Sequence, residues 1–113
     1  RTYASGFSMG GSATWSSLLA RPDLFAAAMP ISGIAPERAR AGELKHIPML
    51  VLHGAAATEN PIASARAMVA AIRAAGGRQV RLRSYVGLQH LPPGDLVPGD
   101  WWRDWLFAQH RDP

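Results

Sequence analysis

The run Gly6-Phe7-Ser8-Met9-Gly10-Gly11 sets a serine between two glycines, each two positions away. A serine on a sharp turn from strand to helix is held in a strained backbone conformation with its hydroxyl exposed. Glycines at positions 6 and 10 let strand and helix approach without side-chain clashes. Such a hydroxyl is placed to act as a nucleophile. The backbone N–H of Met9, at the head of the following helix, can donate to an oxyanion, and the helix N-terminus adds a favourable field. The competing reading of the same string is a glycine-rich turn whose serine caps a helix.

A nucleophilic serine needs a base. His90 lies in a loop rich in Pro and Gly that follows the alternating segment Gln79 to Tyr85, and it is the candidate. His53 closes an apolar run and reads as a buried residue or a turn anchor. His46 and His110 fall at surface positions. The four histidines are scattered and lack a neighbouring carboxylate pattern, so no metal site is suggested, and no cofactor is called for.

The elements that must position these residues follow from the punctuation of the chain. Thr2 to Ser5 reads as the end of a strand. Ala13 to Ala20 reads as a helix, with Trp15, Leu18 and Leu19 at i, i+3 and i+4, stopped by Arg21-Pro22. Phe25 to Ile31 is a short apolar strand. Residues 34–45 read as a loop with room for one helical turn. Pro48 to His53 is apolar on both faces, as a parallel strand covered on both sides should be. Pro61 opens a helix over residues 62–75 that Gly76-Gly77 closes. Gln79 to Tyr85 alternates, which suits a strand nearer a sheet edge. Residues 101–110 form a closing helix. Strands near 2–5, 25–31, 48–53 and 79–85, with helices between and after, predict an α/β fold with a mostly parallel sheet of about four strands.

Composition narrows the classes. The chain has 113 residues, 48% hydrophobic and 18% charged, which fits one domain and excludes a disordered tail. It has no Cys, which excludes a disulfide scaffold, a thiolate zinc site and a Cys nucleophile. No apolar run approaches the roughly 20 residues of a membrane span, so no membrane partner is expected. Net charge is +4, and Lys45 is the only lysine among the 12 basic residues. The arginines are spread along the chain rather than clustered, which argues against nucleic-acid binding. The first residue is Arg1, so the compartment is left open.

Several blocks, in order, resemble one family. Gly6 to Trp15, Arg21 to Ala28, Ile47 to Ala55, Tyr85 to His90 and Trp102 to Gln109 are similar to serine esterases of the α/β-hydrolase fold. The likeness is to the feruloyl-esterase, polyhydroxybutyrate-depolymerase and predicted-peptidase group. The resemblance implies that residues 1–113 are one partial domain, from the nucleophile elbow to the C-terminal helix, with upstream strands absent. It implies Ser8 as nucleophile, His90 as base and Met9 as an oxyanion donor. The substrate would be a carboxylic ester, small or on a carbohydrate or polymer. The group carries an Asp four residues after the equivalent of His53, and here that position is Ala57. Glu59, in the same loop, is the nearest replacement for the acid. Its competing reading is a solvated carboxylate at the start of a helix. Asp95 and Asp100 rank lower.

Four expectations result. Ser8 and His90 converge at the C-terminal ends of strands, where open α/β sheets place their ligands. Hydrolysis by the chain as it stands is weak or absent, because losing the acid costs about 10⁴ in turnover in the serine-protease case. A non-catalytic hydrolase-like module for binding or assembly is the alternative. The strand before Ser8 leaves an open edge beside bare Trp15, Leu18 and Leu19, which favours self-association.

Overall fold

The computed structural model describes residues 2–96 and 99–109. Four parallel strands form one sheet in the order β1 (Tyr3–Phe7), β2 (Ala27–Ile31), β3 (Met49–Gly54), β4 (Val80–Tyr85). Three helices accompany them: α1 (Met9–Ala20), α2 (Ile62–Ala74) and α3 (Asp100–Ala108). The expected architecture is therefore present. All strands being parallel, the turns after β1, β2, β3 and β4 emerge at one end of the sheet.

Strand periodicity sorts the side chains between two cores. Met49 and Val51 point to one face, with Trp15, Leu18, Leu44, Met68 and Ile72. Leu52 points to the other, with Met29 and Ile31, and Phe7, Leu50, Tyr85, Trp101 and Trp102 pack against them. β3 is apolar from Met49 to Leu52 because both of its faces are covered, and its end carries the buried His53. β4 pairs only with β3 in this sheet, and Arg81 and Arg83 on it are exposed, as its alternation predicts; Ser84, on the other phase, is exposed as well.

α2 buries Ile62, Ala65, Met68, Val69 and Ile72, one stripe at helical spacing. Its end is a Schellman motif: Gly77 N–H donates to Ile72 O and Gly76 N–H to Arg73 O, with Gly76 at φ 108. β2 carries Pro30 although strands flank it on both sides. Ala28 N–H donates to Pro48 O and Ser32 N–H to Leu52 O. The rung between them would start at residue 30, and proline has no N–H to supply it.

Three expectations need correction. α1 begins at Met9 rather than Ala13, because the turn at Ser8 feeds straight into it. Residues 38–44 form a 3₁₀ helix where a loop with one turn was expected. Trp15, Leu18 and Leu19 are not bare; their exposures are 1%, 0% and 8%. The 3₁₀ segment supplies part of their cover, through Ala41 and Leu44 in the same core. Burying a Leu of this kind contributes roughly 1.5–3 kcal/mol. His110, expected at the surface, lies outside the described residues. No helix among the described residues is long and apolar enough to cross a membrane.

Candidate active site

Ser8 joins β1 to α1 at φ 59 and ψ −114. For a residue with a Cβ this conformation costs about 1–3 kcal/mol. Backbone bonds on both sides impose it. Ser8 N–H donates to Ile31 O at 2.9 Å, extending the β1–β2 ladder, while Ser8 O accepts from Ser12 N–H at 2.9 Å, starting the helix. The side chain of Ser8 makes no capping bond to α1. Its Oγ lies 2.7 Å from Nε2 of His90. The capping reading of this serine therefore does not hold.

The two glycines of the run are not equivalent. A Cβ on Gly6 would run into the Gly10 carbonyl, whereas a Cβ on Gly10 meets nothing within 4 Å. Of the two glycines flanking Ser8, only Gly6 is required by the approach of β1 to α1; Gly11 is required as well, because a Cβ there would strike the Ile31 carbonyl at the end of β2. Met9 opens α1, where a first-turn N–H has no carbonyl of its own helix to serve. Its side chain is 85% exposed.

His90 is carried by the loop after β4, and this loop is pinned to the end of β3. Ala55 N–H donates to Tyr85 O at 3.0 Å and Ala56 N–H to Leu88 O at 2.9 Å. Gly54 makes the contact possible: a Cβ there would strike the carbonyls of Leu88 and Gln89. The imidazole stacks on Phe7, centroids 5.2 Å apart and planes 28° from parallel. The side chain of His90 is 16% exposed.

The far side of the ring is different. Nδ1 of His90 is buried and has no hydrogen-bond partner among the described residues. Glu59, named from the sequence as the replacement acid, does not reach it. Its Oε2 stands 3.9 Å from Nε2, the nitrogen that faces Ser8, and its side chain is 75% exposed. An acid that fixes the tautomer must face Nδ1, so Glu59 is not in that position. The physical reason is its place at the open rim of the 54–60 turn, where solvent holds the carboxylate. Ala57, in the same turn, is buried, with its N–H donating to Gly54 O.

The remaining acids are engaged elsewhere. Asp95 accepts from Arg83 and from the Tyr85 hydroxyl, each at 3.1 Å. Arg83 also lies over the Trp101 ring, and the Trp101 indole donates to the Asp95 carbonyl. Burial, then the bond to Asp95, pushes the Tyr85 phenol up to about 12. Asp100 pairs with Arg103 at 2.8 Å. These contacts tie the loop after His90 to β4 and α3.

Beneath the site is a polar cluster that only His53 announced in the sequence. His53 is fully buried at the end of β3, and its Nε2 lies 2.5 Å from Asn60 O. Burial holds its pKa below the ordinary histidine value. The Asn60 side chain donates to Ser32 O at 2.9 Å, and Ser32 is 1% exposed at φ 51. The dipeptide Asn60-Pro61 was the available signal, since Asn before Pro marks a turn. A groove of about 500 Å³ lined by Ala35, Pro36, Ser64 and Met68 among others includes neither Ser8 nor His90. Among the described residues no group of three His, Asp or Glu could hold a metal ion.

Neither a family model nor a curated protein matches the chain. Solved structures do. A thermostable esterase is 33% identical, with a TM-score of 0.85 over 98% of this chain and 31% of its own. Acyl-protein thioesterase 2 of Zea mays is 24% identical, with a TM-score of 0.72 over 92% of this chain and 54% of its own. Acylaminoacyl peptidase of Pyrococcus horikoshii is 17% identical, with a TM-score of 0.70 over 88% of this chain and 21% of its own. The chain thus spans about a third of the esterase and about half of the thioesterase. Its fold is that of the α/β-hydrolases, of which it forms part.

Proposed function

We propose that the chain carries the catalytic serine and histidine of a serine ester hydrolase. Ser8 is the nucleophile of a nucleophile elbow and His90 its general base. Ser8 Oγ attacks the ester carbonyl and His90 Nε2 takes its proton. The tetrahedral oxyanion is held in part by the Met9 N–H at the head of α1, and the alcohol leaves with the proton from His90. Water then hydrolyses the acyl-enzyme by the same route. The observation that carries this reading is the 2.7 Å approach of Ser8 Oγ to His90 Nε2, with Ser8 in the strained conformation that presents its hydroxyl. The esterase neighbour supports a carboxylic ester as substrate; an ester that is small or on a carbohydrate or polymer is the finer reading, and it rests on the sequence resemblance.

Ala57 and the unpartnered Nδ1 of His90 favour a second reading, a hydrolase-like module that binds or assembles without turnover. They also make impaired activity part of the first. A serine-directed fluorophosphonate probe separates the two. Covalent labelling of the chain, lost in Ser8→Ala and in His90→Ala, supports the hydrolase. A folded chain that never labels supports the module.

A further inference from the structure

The His90 ring is held by side-chain contacts at the elbow. Among the described residues its backbone makes no hydrogen bond and its Nδ1 has no partner. Its Nε2 meets the Ser8 Oγ, and its face lies on Phe7, the residue before the nucleophile. An imidazole tied at one nitrogen can still tilt about that bond. A second flat ring packed along its face limits the tilt. Phe7 is well fixed for this task. It ends β1 in register with Ile31 of β2, which is in register with Leu52 of β3. Phe7 packs against the buried cluster of Met29, Ile31 and Leu52, so the core backs the residue that carries His90. Its backbone is fixed as well, because the next N–H, that of Ser8, donates to Ile31 O.

We propose that Phe7 is a positioning residue for His90: its ring holds the plane of the imidazole while Nε2 faces Ser8, and its π face favours the charge that His90 gains on taking the serine proton. The inference rests on the proposed roles of Ser8 and His90. The face of an aromatic ring is negative and attracts a cation within about 6 Å of its centroid. The Phe7 and His90 centroids are 5.2 Å apart, and the His90 side chain is 16% exposed, so water screens the pair only in part. Orienting the imidazole and stabilising its charge are the two tasks of the acid in a complete triad, and Ala57 performs neither. An aromatic face orients well but stabilises charge less than a carboxylate, so it supports a slower serine. Because Phe7 and Ser8 are consecutive, base and nucleophile are both referred to the end of one strand.

The rival role for Phe7 is that of an apolar residue that only fills the core. Phe7→Leu keeps an apolar side chain and removes the ring, whereas Phe7→Tyr keeps the ring. Fluorophosphonate labelling of Ser8 in the full chain, followed over a range of probe concentrations, is measured beside proton spectra of the His90 ring. Phe7→Leu should lower the maximal labelling rate about tenfold, and the half-saturating probe concentration should stay where it was. Phe7→Tyr should remain within about twofold of the parent. The carbon-bound ring protons of His90 should carry an upfield ring-current shift in the parent, lost in Phe7→Leu and kept in Phe7→Tyr. If Phe7→Leu does not fold, the parent shift and the Tyr variant still decide. A parent without the shift overturns the proposal. So does a folded Phe7→Leu that labels at the parental rate, or one that changes only the half-saturating concentration. A folded Phe7→Tyr that loses as much as Phe7→Leu does the same. A labelled parent with an indifferent Phe7→Leu rejects the positioning role and leaves the hydrolase reading standing. A parent that shows the shift but never labels rejects the hydrolase reading and the positioning role with it.

Discussion

A methyl group on Gly6 would collide with the carbonyl of Gly10, but a methyl group on Gly10 meets only open space. The two positions look alike in the string and differ in the fold. Gly6→Ala should destabilise the chain by about 1–3 kcal/mol, the usual cost of overpacking, and should also lose labelling at Ser8. Gly10→Ala should melt within a degree or two of the parent and gain slightly in helix propensity. Thermal unfolding followed by circular dichroism compares them, and equal losses in the two variants would contradict the assigned geometry.

Ala57 sits in the turn that packs against the His90 loop, and the Nδ1 of His90 lacks a partner. Ala57→Asp should raise the rate of Ser8 labelling, by up to about 10⁴ if the carboxylate reaches that nitrogen. Glu59→Gln should change it by no more than about fivefold, as expected for an exposed charge. Probe kinetics on the two variants check this. A Glu59→Gln variant that loses labelling altogether would restore Glu59 as the working acid.

His53 is held below the ordinary histidine pKa, chiefly by burial. The folded chain therefore binds fewer protons at this site than the unfolded one. The stability it contributes is present above the unfolded value of about 6.5 and is lost as pH falls toward the depressed folded value. Denaturant midpoints measured from about pH 7.5 down to 5 should decline, and His53→Gln should flatten part of that decline. A parent and variant with parallel pH profiles would contradict the assignment.

The Tyr85 phenol is pushed up to about 12 by burial and the Asp95 bond. Here the protonated form is favoured in the folded chain. Its contribution is complete below the unfolded pKa of about 10 and is lost as pH rises through about 12. Ultraviolet titration at about 295 nm should show a late phase, absent in Tyr85→Phe and moved to lower pH in Asp95→Asn. The latter variant should also loosen the loop that follows His90, since Asp95 joins it to Arg83.

Much of this arrangement was legible beforehand, for identifiable reasons. β3 is apolar from Met49 to Leu52 because both faces are covered, and α2 carries one stripe between a proline and a Schellman glycine; both patterns are local. The serine turn was readable because its glycines and the helix after it are adjacent in sequence. Trp15 was misjudged, and the side of His90 that Glu59 approaches was hidden, because their surroundings are not local. Which nitrogen of His90 a carboxylate faces depends on how two loops meet. Whether Trp15 is covered depends on a 3₁₀ segment that begins 23 residues later. The Asn60–His53 bond was hidden for the same reason, since a backbone carbonyl leaves no mark in the residue string.

The outer edge of β1 remains a proposed site of self-association, resting now on backbone alone. β1 pairs only with β2 in the described sheet, while the apolar side of α1 is covered. Sedimentation velocity at micromolar concentrations should reveal species heavier than 12.1 kDa. A single monomeric boundary with cooperative unfolding would exclude it.

Because every strand runs the same way, Ser8, His53 and His90 share one end of the sheet, and the turns near Arg21-Pro22, Lys45-His46 and Gly76-Gly77 share the other. Chemistry and architecture are thereby assigned to separate territories. The lower turns form a natural attachment zone: a tag, a fluorophore or an immobilising linker placed at Lys45, the chain's one amine-bearing side chain, would lie a full strand length from the serine. Molecules held through the Lys45 amine would therefore share one orientation, with the reactive end turned outward.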